Sequence, residues 1–162
     1  FNFFKRQNKL ARDTTCIKQV FEDMNNKLKF SSNTFIWLFY IPLVYKNNND
    51  FKKVIKITEE KKLESICSFK EAETHPMTCW YIKKNKPLQF IKNNLCRRQD
   101  FTKAYSHHHY ICGFKVKSLK KLNNELICKN TYPIILNRNT SRKLIEVDTP
   151  EELKKFKKMN KK

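Results

Sequence analysis

"TFIWLFYIPLVYKNNNDFKKVIKITEEKKLESICSF", residues 34–69, holds the alternation on which the fold class turns. Its first run, Thr34 to Tyr40, is apolar throughout and rich in aromatic and β-branched types, which suits a strand buried on both faces. Pro42 ends that run. Asp50 can then cap a helix that carries Phe51, Val54 and Ile55 on one side, and "SICSF" at 65–69 is a second strand. Strand, helix and strand joined by short links predict a parallel α/β unit.

Upstream, after a short opening strand, Ile17, Val20, Phe21, Met24 and Leu28 recur at helical spacing, predicting a helix over about 14–28 with Asp13 or Thr14 as its cap. Downstream, residues 75–116 change texture. "TCWYIKK" and "PLQFIKN" around the "NKP" turn form a hairpin too isolated to bury both faces. Such a hairpin either projects to meet another subunit or covers its own sheet. A strand near 109–116, a short helix near 117–124 and a strand at "KLIEV" follow. "DTPEELKKFKKM" announces a last helix: Thr149 as cap, Pro150 in the first helical position and Glu152 three residues after the cap form a capping box.

With 162 residues and 40% hydrophobic content the chain can form one domain with a real core. The +20 net charge invites a nucleic-acid partner, but the lysines are spread along the whole chain. Only "KKFKKMNKK" is a dense basic tail, the composition of a solvated helix end. Cys16, Cys67, Cys79, Cys96, Cys112 and Cys128 show no C-x-x-C pair, so reduced, mostly buried thiols in a cytoplasmic protein are expected. The longest apolar run, residues 35–45, is about half a membrane span and contains a proline. Neither a membrane nor a nucleic acid is therefore expected as partner. The chain opens on "FNFFKRQ" without Met, as a segment of something longer would. A single glycine, Gly113, excludes a phosphate-cradling loop within these residues, because such loops need several.

Two constellations could carry chemistry. On a strand, Glu146 and Asp148 would point to one face, at the end of the sheet where ligands bind in parallel α/β folds. Adjacent carboxylates there suit Mg²⁺, which takes one or two carboxylates plus substrate phosphates. The alternative is that Asp148 helps to cap the following helix while Glu146 is merely solvated. The second constellation is "CRRQDFTKAYSHHHYICGF", residues 96–114, the densest set of recognition groups in the chain. Its arginines suit carboxylate or phosphate. Of its three histidines only His107 and His109 share a face, with no third zinc ligand evident. His75, before Pro76, marks a loop after the 65–69 strand, where a lone histidine is more often a hydrogen-bonded loop residue than a catalyst.

The order of these pieces resembles a known family. "LARD" opening a helix, "HP" after a strand, "RRQDFTKAY", "NTYPIIL" and "IEVDTPEEL" are similar to the cytidylyltransferases that activate acylneuraminate (sialic acid) and other nonulosonic acids. The likeness runs from about Arg6 to Phe156, and "RRQDFTKAY" and "IEVDTPEEL" are its most specific parts. It implies an α/β fold with a Rossmann-like nucleotidyltransferase sheet, incomplete at the N-terminus, and a single domain over 1–162 whose residues 75–116 project as a hairpin that builds a homodimer. The implied reaction joins CTP and an acidic sugar to give a CMP-sugar and pyrophosphate. Glu146 and Asp148 match the acidic pair that holds Mg²⁺; Arg98 and its neighbour Gln99 match the sugar-acid contact. His108 and Cys112 stand where the family has an asparagine and a tyrosine, and the resemblance puts His108 with Arg98 and Gln99 among the expected substrate-binding residues. Asp13 matches an acidic residue of the "L-A-x-D" segment. The family's glycine loop precedes the point where this chain starts, so the chain alone is expected to be inactive. Two other classes remain: a non-catalytic homologue that keeps the fold and the dimer, which the apolar "LFYIPL" favours, and a basic nucleic-acid module.

Overall fold

The computed structural model describes residues 4–95 and 97–159, with Arg98 and Met159 described by their backbone alone. The architecture is mixed α/β: one sheet of four strands, a separate two-stranded sheet, and helices packed on the larger sheet.

The first helix, α1, spans Ile17–Leu28. It begins three residues later than its periodicity suggests, because the Gln19 side chain reaches back to accept the Cys16 N–H at 3.1 Å. No strand precedes it among the described residues; Asn8–Leu10 form a 3₁₀ turn instead. Strand β1 is Phe35–Leu38, half-buried rather than enclosed on both faces. Helix α2 spans Asn48–Glu60 and is capped by Asn47, whose Oδ1 accepts the Asn49 N–H at 3.0 Å. Asp50, the expected cap, lies in the first turn and accepts instead the Tyr110 hydroxyl at 3.0 Å. Strand β2 is Ser65–Glu71.

The hairpin expected between residues 75 and 116 is present as β3, Trp80–Lys83, and β4, Lys86–Gln89. Its turn residues Lys84 and Asn85 both have positive φ, the geometry that matches strand twist in tight hairpins. The long strand β5 is Tyr105–Lys115, followed by a 3₁₀ segment at Val116–Lys121 where a short helix is expected. Strand β6, Tyr132–Ile135, leads into helix α3, Arg138–Lys143, and helix α4 covers Pro150–Met159.

The sheet order is β1-β5-β2-β6. Both β1 and β2 run antiparallel to β5, and β6 runs parallel to β2. Thus β1, β2 and β6 share one direction, but the expected parallel neighbours β1 and β2 are separated by an antiparallel strand. The connection through α2 skips over the place that β5 later fills.

Two apolar clusters cover the sheet. On one face Cys67, Cys112 and Phe114 pack with Leu119, Leu122 and Leu126, and Phe21 of α1 meets Phe114 edge-on at 5.2 Å. On the other, Ile66, Tyr110 and Ile111 pack with Val54 of α2 and Leu43. Each fully buried side chain of this size contributes about 1.5–3 kcal/mol through removal from water. Consecutive residues Tyr110 and Ile111 enter the same cluster because β5 bulges: Cys67 pairs Cys112, yet the next residue, Ser68, pairs His108. Ser68 closes that bulge, its hydroxyl donating to the His108 carbonyl and accepting the Ile111 N–H.

Cys67 and Cys112 are buried, while Cys16, Cys79 and Cys128 are half-buried free thiols; Cys96 and the last residues of the basic tail lie outside the described residues. No helix among the described residues is long and apolar enough to cross a membrane.

Candidate functional site

Because β1, β2 and β6 run the same way, their C-terminal ends reach one edge of the sheet. An open cleft of about 960 Å³ lies past the ends of β2 and β6, walled by the residues that follow β2, by the segment entering β5 and by α3, with no residue of β1 in its lining. Four cations line it, Lys70, Lys103, Arg138 and Arg142, against two carboxylates, Glu71 and Glu73. Lys70 pairs Glu73 at 3.1 Å and Arg138 approaches Glu71 at 3.7 Å, both at exposed positions where such pairs hold weakly. Among the described residues no ion pair engages Lys103 or Arg142. The cleft therefore offers net positive charge to an anion.

His75 forms part of the wall. Its Nδ1 accepts the Met77 N–H at 3.3 Å, so Nε2 carries the proton and donates to the Thr102 carbonyl at 2.7 Å. Phe101 stacks on the ring with centroids 4.7 Å apart. With both nitrogens engaged, His75 braces the loop rather than serving as a free base.

The "KLIEV" stretch does not form the expected strand. Helix α3 takes its first residue, Lys143, and the remainder pairs through a single antiparallel bridge, Glu146 to Leu43, with the Val147 N–H donating to the Pro42 carbonyl at 2.9 Å. The chain after Pro42 is too short a partner to extend the ladder. Glu146 and Asp148 are exposed and Val147 between them is half-buried, the alternation that extended backbone gives. Asp148 contributes its backbone N–H to Glu152 at 3.0 Å, and the capping box forms as expected, Thr149 N–H to Glu152 at 2.9 Å and Glu152 N–H to the Thr149 hydroxyl at 3.3 Å. The Asp148 carboxylate makes no hydrogen bond among the described residues.

Tyr40, just past β1, ties these carboxylates to the sheet. Its hydroxyl hydrogen-bonds Glu146, and this bond, with burial and the charges of Glu146 and Asp148, pushes the phenol up to about 12. His108 lies within the same electrostatic neighbourhood. Burial first, and then Lys70, bring its imidazole down to about 4, against the pull of Glu146. Lys70 acts on it because Lys70 and Ser68 are two apart on β2 and Ser68 pairs His108 across the ladder. His108 is thus neutral at pH 7, and since its Nδ1 accepts the Tyr110 N–H at 3.2 Å, Nε2–H is left to donate.

That neutral state has a consequence for stability. An imidazole whose folded pKa falls below the ordinary 6.5 stabilises the fold fully above that value and loses its contribution as pH falls from 6.5 towards 4. For a half-buried ring the loss is about 1–2 kcal/mol rather than the full shift. Urea midpoints measured across this range should fall with pH in the wild type and fall less in His108→Asn; parallel curves would contradict the assignment.

Glu146 thus acts on both Tyr40 and His108, whereas Asp148 acts on Tyr40 alone. Gln99 is exposed in the 3₁₀ turn Arg98–Asp100, which leads directly to Phe101 of the cleft wall. The Arg98 side chain lies outside the described residues, and its neighbour Arg97 is occupied by a two-pronged pair with Asp100 at 3.1 and 3.2 Å. No protein-family model and no curated protein matches this chain, so the likeness to cytidylyltransferases rests on the residues that carry it.

Sequence reasoning missed Tyr40, whose setting in an apolar run hid its hydroxyl. It also missed Arg138 and Arg142, although their spacing of four on a short helix puts both on one side, a signal that was there to use. The histidine run divides: His108 faces the Glu146 neighbourhood, while His107 and His109 meet Glu125, at 3.2 and 4.0 Å.

Proposed function

We propose that this chain belongs to a nucleotidyltransferase that activates an acidic nine-carbon or similar sugar with CTP, releasing pyrophosphate, on a Rossmann-like sheet. The observation that carries this reading is His108, which feels both Lys70, a cation lining the cleft past the ends of β2 and β6, and Glu146, one of two exposed carboxylates two residues apart that stand outside the cleft lining. Two exposed carboxylate oxygens are the hard donors that Mg²⁺ prefers, and the ion leaves its remaining positions to water and phosphate. When bound there, it would supply neutralisation of triphosphate charge. The chain's own residues do the rest by position and charge. Tyr40 fixes Glu146 by hydrogen bonding, the cations of the cleft attract the sugar carboxylate, and the His108 Nε2–H offers a neutral donor. In the reaction a sugar hydroxyl oxygen bonds to the α-phosphorus of CTP as the bond from that phosphorus to the oxygen bridging the β-phosphate breaks; pyrophosphate leaves with the electron pair and the hydroxyl proton passes to water.

Equilibrium binding of a panel of nonulosonic acids tests the sugar side alone. One free acid should bind while its methyl ester does not, and Lys103→Ala with Arg142→Ala should weaken it at least about tenfold, the loss of one charge-assisted hydrogen bond. Equal binding of acid and ester, or no binding by any acid, contradicts the reading.

The hairpin supports a homodimer within the same proposal. Trp80, Ile82 and Phe90 are 53%, 69% and 66% exposed on an element that pairs with no strand of the main sheet. That is more apolar surface than a small isolated hairpin keeps in water. Sedimentation should give a dimer for the wild type and a monomer for Ile82→Glu combined with Phe90→Glu; a monomeric wild type rules the dimer out.

One observation favours a second reading, a non-catalytic homologue that keeps the fold. Phe39 and Ile41 are exposed, at 59% and 87%, beside Tyr40, where the family resemblance expects polar residues against substrate.

A further inference from the structure

We propose that His107, His109 and Glu125 form a zinc site of the two-histidine, one-carboxylate type, which joins β5 to the turn after the 3₁₀ segment. His107 and His109 are two apart on β5, so both imidazoles leave the strand on one side, with ring centroids 5.3 Å apart. Glu125 arrives from a turn held rigidly by its own chain. The Asn123 carboxamide oxygen accepts the N–H groups of Glu125 at 3.0 Å and Ile127 at 2.9 Å, and Leu126, with φ of 59°, is fully buried beneath it. The Glu125 carboxylate stands 3.2 Å from His107 Nε2 and 4.0 Å from His109 Nε2. One donor atom from each residue lies within 4.8 Å of the others.

Tetrahedral zinc with bonds of about 2.0–2.1 Å sets neighbouring donor atoms about 3.3 Å apart. The widest pair here needs to draw in by only about 1.5 Å, within the reach of side-chain rotation on a fixed backbone. Coordination through His109 Nε2 replaces the contact of that nitrogen with the Glu125 carbonyl at 3.2 Å. Two imidazole nitrogens and a carboxylate are a borderline donor set that suits zinc rather than Mg²⁺. An ion pair between His107 and Glu125 would account for one protonated imidazole, but a second at this distance repels it. A metal uses both rings as neutral ligands. The fourth position opens to solvent, since the His107 and Glu125 side chains are 41% and 52% exposed. Tyr40, whose ring meets His109 edge-on at 6.3 Å, fixes the inner side of the site and places it next to the Glu146 neighbourhood. This site does not depend on the nucleotidyltransferase reading.

Zinc titration of the purified chain by calorimetry, with Co²⁺ as a spectroscopic substitute, tests it. One Zn²⁺ per chain should bind, Co²⁺ should show the intense visible bands of four-coordination, and the thermal midpoint should rise on adding zinc. Residues that only orient a metal ligand are worth about 10–100-fold in affinity, so His107→Ala, His109→Ala and Glu125→Gln should each weaken Zn²⁺ binding by at least about 100-fold. Glu125→Gln is nearly isosteric at an exposed position, so loss of binding in that variant reports coordination rather than unfolding. Asp148→Ala should leave zinc affinity unchanged. Failure to bind zinc at micromolar concentration, or full affinity in the His107→Ala/His109→Ala double variant or in Glu125→Gln, overturns the site.

Discussion

In a full-length enzyme of the proposed kind, Asp148→Ala should lower turnover by about 10²–10³-fold, the usual cost of removing one group that stabilises charge developing in a transition state. Its carboxylate is exposed and makes no hydrogen bond among the described residues, so the substitution removes the proposed Mg²⁺ ligand without opening the core. The thermal midpoint should hardly move, because surface changes away from such features cost under about 0.5 kcal/mol. Glu146→Ala differs: it also releases the Tyr40 hydroxyl, so that phenol should titrate closer to its ordinary value of 10 than to 12. Steady-state kinetics at saturating Mg²⁺ separate the two carboxylates. An undiminished rate in Asp148→Ala removes the metal assignment.

Gly113→Val should destabilise the fold by about 3 kcal/mol, at the upper end of what overpacking costs. This is the only glycine in the chain, and its backbone is ordinary strand with negative φ, so close approach rather than conformation demands it. A Cβ at that position would lie 2.6 Å from Phe35 Cε1, 2.8 Å from Trp37 Cε3 and 3.0 Å from the Ile36 carbonyl oxygen. The two rings pack against each other, with centroids 4.8 Å apart, over the middle of the β1–β5 pairing, and one of the clashing atoms is backbone. Neither can withdraw without loosening the ladder. A loss of this size removes a large fraction of the 5–15 kcal/mol typical of a domain. Urea denaturation gives the comparison, and a valine variant as stable as the wild type contradicts this packing.

Local signals in the sequence were legible where local chemistry decides the outcome. The capping box at Thr149 and Glu152, the packing of Phe51 and Val54 from α2, where the expected Ile55 is exposed instead, and the hairpin turn all depend on neighbours within a few residues. The topology was not legible, because nothing in residues 34–69 says that a strand from 105–115 will insert antiparallel between β1 and β2. The bulge that lets it do so depends on Ser68, whose hydroxyl joins two backbone groups forty residues away. Strand β6 was hidden by Pro133, which reads as a breaker in a central strand but is tolerated here at the sheet edge. The site shows the same division. Glu146, Asp148 and His108 could be named from spacing and resemblance, whereas Tyr40 and Glu125 join their clusters only through the folded chain.

CTP-dependent pyrophosphate release, assayed on the protein together with whatever sequence its gene encodes before Phe1, tests the central claim most directly. The account predicts release with one nonulosonic acid, its abolition by a chelator and its restoration by Mg²⁺. Silence across the acids with CTP and Mg²⁺ both saturating would contradict it.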